Sequence, residues 1–84
     1  MRQGAGEVSG PSSAAPGTTI EVTVSTGDSV VKVTTGSGTP ATYPVQNGKA
    51  QVPVPPGVSP GGDFWVYVGS GANIKIMRVE VVQP

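Results

Sequence analysis

Acid–base chemistry in this chain rests on five carboxylates, Glu7, Glu21, Asp28, Asp63 and Glu80, because neither His nor Cys occurs. The missing His and Cys remove the commonest general base, the thiolate nucleophile and the usual zinc and haem ligands. They also remove disulfides, so redox compartment leaves no trace in the sequence. Glycoside hydrolysis needs two carboxyls facing each other across a cleft. Glu21 and Glu80 instead fall on the solvent-facing phase of alternating runs. The Gly-rich pieces at 36–38, 61–62 and 69–71 neither open a helix nor carry the Lys-Ser/Thr of a phosphate loop. No enzyme activity, cofactor or metal is expected.

The aromatic pair Trp65 and Tyr67 is the most informative feature. In Asp-Phe-Trp-Val-Tyr-Val, residues 63–68, the phase Phe64, Val66, Val68 is the more apolar and belongs on a core. Trp65 and Tyr67 then point outward, two residues apart. Such rings stack on a sugar or anchor a protein contact. Lys32 on a neighbouring strand, with Lys75 or Arg78 on the last strand, would flank them as cations. The alternative is that Trp65 is core, or that the rings cover the sheet beneath the N-terminal arm. A protein partner is favoured over a glycan, because Thr and Lys surround the rings with few polar groups.

The elements that must position these residues are strands. Val occurs fifteen times and Leu not at all in 84 residues. Val, Ile and Thr suit pleated, half-buried surfaces. Without Leu, and with few other good helix formers, an α-helical domain is not expected. Ile20, Val22 and Val24 alternate with Glu21, Thr23 and Ser25. Val31 and Val33 flank Lys32. Pro44 and Pro53 lack an N–H, so their runs belong on sheet edges. Asn47-Gly48 between alternating runs predicts a type I′ hairpin. The last run, 74–82, changes phase, and a β-bulge near Ile76-Met77 would keep Ile76, Val79 and Val81 inward. The expected core is Ile20, Val22, Val24, Val31, Val33, Val45, Val52, Val54, Phe64, Val66, Val68, Ile76, Val79 and Val81. Six strands follow, with a possible seventh at 6–10.

Residues 1–17, rich in Gly, Pro, Ser and Ala, read as a flexible arm before a domain at 18–84. Val8 is its one aliphatic anchor, either as an edge strand or as a cover for the rings. Five basic residues balance five acidic ones. Neutrality gives neither a nucleic-acid footprint nor a polybasic membrane patch. The longest apolar run, 64–68, is far below the ~20 residues of a membrane helix.

The segments PGTTIEVTVS, GDSVVKVTT, YPVQNGKAQVPVP, PGGDFWVYV and IKIMRVEVV resemble bacterial and phage immunoglobulin-like modules. The resemblance spans residues 16–82. It departs from better-known immunoglobulin domains in lacking paired Cys and in placing Trp65 late in the chain. It implies an antiparallel β-sandwich with turns 26–29, 47–48 and 69–73 at one end and loops 11–17, 36–40 and 55–62 at the other. Asp28 and Asp63 would then lie at opposite ends, out of reach of one another. Asp28, Asn47 and Asn73 would converge, but one carboxylate is too few for the oxygen-rich shell Ca²⁺ takes.

The functional expectation is a non-enzymatic binding protein. As a free-standing product beginning at Met1 without an apolar leader, it reads as a phage virion accessory protein. That role would be capsid decoration or cement, with virion subunits or a second copy as partners. As one module of a longer protein, it reads as a spacer, adhesion or carbohydrate-binding unit of a bacterial surface or secreted protein. Candidate contact residues are Trp65, Tyr67, Lys32, Lys75, Arg78 and Val8.

Overall fold

Alternation of β-branched residues with polar ones gives each main strand one apolar face, and two such faces close on each other. The computed structural model describes residues 7–36, 39–69 and 74–83. Eight strands are present among these residues: β1 (Val8–Ser9), β2 (Ser13–Ala14), β3 (Thr19–Val24), β4 (Val30–Thr34), β5 (Ala41–Pro44), β6 (Lys49–Pro53), β7 (Asp63–Val68) and β8 (Lys75–Val81). No helix occurs among the described residues. One sheet has the order β1-β3-β6 and the other β2-β8-β7-β4-β5. All pairings are antiparallel except β2 with β8.

Between the sheets lie Ile20, Val22, Val24, Val31, Val33, Val52, Val54, Phe64, Val66, Val68, Val79 and Val81, as the alternation predicts. Val8 and Ala50 join them, and Val45 packs half-buried at the margin. No polar side chain is buried among the described residues. The core is therefore held by apolar contact, with each fully buried Val or Phe side chain contributing about 1.5–3 kcal/mol.

Two expectations need correction. The bulge at Ile76-Met77 is absent: β8 runs in one continuous register against β7, from Asp63 opposite Glu80 to Val68 opposite Lys75. That register turns Met77, Val79 and Val81 toward the core and leaves Ile76 outside, 56% exposed. The segment before residue 18 also holds more strand than expected: β1 falls within the possible edge strand at 6–10, but residues 13–14 pair as well, into the other sheet. Val8 lies opposite Val24 in one sheet, and Ser13 lies opposite Glu80 in the other.

The Asn47-Gly48 turn forms with positive φ at both residues, 55° and 77°. Gln46 and Lys49 exchange backbone hydrogen bonds beneath it. The hairpin stops there, because β5 pairs with β4 and β6 with β3. The turn thus carries the chain from one sheet to the other.

Candidate functional site

The outer face of the five-stranded sheet brings together the residues with binding chemistry. Along β7 burial alternates strictly: Phe64, Val66 and Val68 are buried, while Asp63, Trp65 and Tyr67 are half-buried on the other face. Register then fixes the neighbours. Tyr67 lies between Ile76 of β8 and Lys32 of β4, with Thr42 of β5 beyond Lys32. Trp65 lies between Arg78 and Thr34. Two parallel rows result, Ile76–Tyr67–Lys32–Thr42 and Arg78–Trp65–Thr34. Side chains directly opposite in such rows stand about 4.5–5.5 Å apart at Cβ, within reach of one another.

Charge on this face is partly spent internally. The Arg78 Nη2 donates to Asp63 Oδ1 at 2.9 Å, along the flank of Trp65. Arg78 keeps 59% of its side chain exposed and Asp63 25%. An exposed pair of this kind contributes at most about 1 kcal/mol. Lys32 forms no ion pair among the described residues. The face therefore offers two aromatic rings, an aliphatic side chain and a cation to whatever meets it.

One end of the second row opens into a shallow groove of about 450 Å³, whose lining includes Trp65, Thr35, Val58, Pro60 and Asp63. Gly36 stands beside the indole, and a Cβ there would lie 3.8 Å from Cζ3. A second hollow of about 440 Å³ lies by Glu21, Pro44, Asn47 and Lys49. Its polar groups serve one another: Glu21 meets Lys49 at 3.8 Å and accepts from Gln51 at 3.4 Å.

Four of the six expected contact residues, Trp65, Tyr67, Lys32 and Arg78, share this face. The other two do not. Lys75 opposes Val68 in the core-facing column, because β8 keeps one register. Val8 is 9% exposed and belongs to the core on the opposite sheet, so it cannot cover the rings. Ile76 is the surface residue that the expected core wrongly includes. Placing Ile76 inward requires the bulge, which the continuous register of β8 removes. The even-numbered phase it shares with Arg78 and Glu80 would have placed it.

The remaining chemistry stays dispersed. Asp28 accepts a hydrogen bond from the Thr26 hydroxyl inside its own turn. Asn47 is the left-handed residue of the hairpin. Asn73, and the glycines at 38 and 71, lie outside the described residues. No group of three or more Asp or Glu among the described residues is placed to hold a metal ion. No helix among the described residues is long and apolar enough to cross a membrane. A scan against protein-family models, a search of curated proteins and a search of solved structures find no match to this chain.

Proposed function

We propose that the chain is a non-enzymatic, immunoglobulin-like binding module that grips a protein partner through the outer face of its five-stranded sheet. The observation that carries the reading is the row Ile76–Tyr67–Lys32 beside Arg78–Trp65–Thr34. Small folded domains seldom leave large apolar side chains grouped on one face without a use. Aromatic residues and Arg are also the side chains that dominate protein contacts. The immunoglobulin-like part is supported by strand order. The first strand is split between the sheets, and β2 runs parallel to the last strand. β3 and β6 share one sheet, with β4, β7 and β8 in the other, as in immunoglobulin-type sandwiches.

The specific setting we propose is a virion, where the module decorates or cements a lattice of other subunits. The test has two stages. Mass spectrometry of purified virions from the source should find the chain. Rebinding to stripped particles should then fall about thirtyfold or more for Trp65→Ala, equivalent to ~2 kcal/mol, while the free variant unfolds within about 1 kcal/mol of the parent. Unchanged rebinding would remove the rings from the interface. Unfolding of the variant would make Trp65 a packing residue.

A further inference from the structure

We propose that two copies of this chain pair antiparallel through the open edge of β8, with Ile76 facing Ile76 of the second copy across a two-fold axis. The argument begins with the direction of backbone groups. Along a strand in an antiparallel ladder, the N–H and C=O of successive residues point to alternate sides. The N–H groups of Glu80 and Val82 donate to Ser12 and Ala14, toward β2. The N–H of Val81 donates to Gly62, on the β7 side. The N–H and C=O of Ile76 and Arg78 therefore point away from β7. β2 reaches only Glu80 and Val81, so no described strand pairs with the stretch 74–78 on that side.

Other edges are guarded or polar. On β5, the N–H of Val45 donates inward to Ser29, which leaves Pro44 with its nitrogen facing out. On β6, the N–H of Val54 donates inward to Thr18, and Pro53 faces out in the same way. The start of β3 is unpaired beyond β1, but its outward residues are Thr19 and Glu21, and Glu21 is engaged by Lys49. Among the described residues, the β8 edge alone carries exposed large aliphatic side chains. Of the three large hydrophobic residues exposed among the described residues, two are here, Ile74 at 42% and Ile76 at 56%.

A second copy fits this edge for three reasons. The outward groups fall on even-numbered residues, so a like strand pairs even with even and satisfies both edges at once. Centring the pair on Ile76 sets isoleucine against isoleucine and lays the stem of Arg78 along Ile74, while Asp63 holds the Arg78 charge. The chain carries no net charge, so two copies approach without long-range repulsion. The contact is short, about 17 Å of strand. It falls below the ~1,000 Å² of a stable interface, which makes the association concentration-dependent. It also goes beyond the partner-binding reading, because Trp65 stands one strand away from the axis and takes no part.

The chain has no cysteine, which allows a direct test. Hydrogen-bonded opposed residues have Cα atoms about 5.5 Å apart, inside the disulfide range. Ile76→Cys, at an exposed site, should form a disulfide dimer in glutathione buffer at roughly tenfold lower protein concentration than the control Thr42→Cys on the β5 edge. Equal behaviour of the two variants would overturn the proposal. Sedimentation velocity gives the second reading: the parent should sediment faster as concentration rises, and Ile76→Lys should lose that rise. A parent that stays monomeric at every concentration would also overturn it. Trp65→Ala should keep the Ile76→Cys cross-link even if it loses partner binding, so failure of one reading is distinguishable from failure of the other.

Discussion

At the scale of single residues, the consequence of β8's register can be measured directly. Val66 is fully buried between Val33 and Met77. Removing two of its methyl groups leaves a cavity in a core with no polar substitute to fill it. Val66→Ala should cost roughly 2–4 kcal/mol in urea unfolding. Ile76→Ala, in dilute solution, should cost about 0.5 kcal/mol or less, because the side chain is mostly in water. A reversed order would restore the bulge and put Ile76 in the core. The core was legible wherever alternation was strict, as in 20–24 and 63–68. It failed at 74–77, where Ile74, Ile76 and Met77 are all apolar and hydrophobicity no longer distinguishes the two phases. Charge did distinguish them, since Arg78 and Glu80 share parity with Ile76. The rings were legible for the converse reason: Phe64, Val66 and Val68 are so uniformly apolar that they leave Trp65 and Tyr67 only the other face.

At the scale of elements, proline reads as an edge guard. Pro44 and Pro53 sit at the two positions where the missing N–H would have pointed to solvent, so neither breaks a ladder bond. Each withholds a donor from any strand arriving at that edge. The double variant Pro44→Thr, Pro53→Thr should keep its fold, losing about 1 kcal/mol or less per site through the freer unfolded chain. Its aggregation on heating, followed by light scattering, should increase. Aggregation equal to the parent's would show that the edges are guarded by something else. The edge assignment was available from proline chemistry, and the Asn47-Gly48 turn from its demand for positive φ. The partners of those strands were not. A two-residue turn normally joins neighbours in one sheet, and here only the Gln46–Lys49 pair remains before β5 and β6 part. Nothing local in 41–54 says that the two runs must serve different sheets. That is decided by the long-range competition of β3 and β4 for partners.

At the scale of the whole molecule, the decisive segment is the one composition argued against. Residues 7–15 are mostly small and polar, and a segment of that kind cannot order itself. It orders because it crosses the open side of the sandwich and pairs with both sheets. The Glu7 carbonyl accepts from the Ser25 N–H at 3.0 Å, and the Ser12 and Ala14 carbonyls accept from Glu80 and Val82 at 2.9 Å. Val8 seals the core between these attachments. The test is a chain beginning at Pro16. A loose arm would leave stability within about 0.5 kcal/mol of the parent. The structure predicts more. Loss of one buried Val removes about 1.5–3 kcal/mol, and each lost backbone bond about 1 kcal/mol net. The shortened chain should therefore lose about 3 kcal/mol or more, a large share of the 5–15 kcal/mol typical of a domain. Because the segment fastens both sheets, unfolding should stay a single transition with a lower urea midpoint. An unchanged midpoint would show that β1 and β2 decorate the sandwich without holding it together.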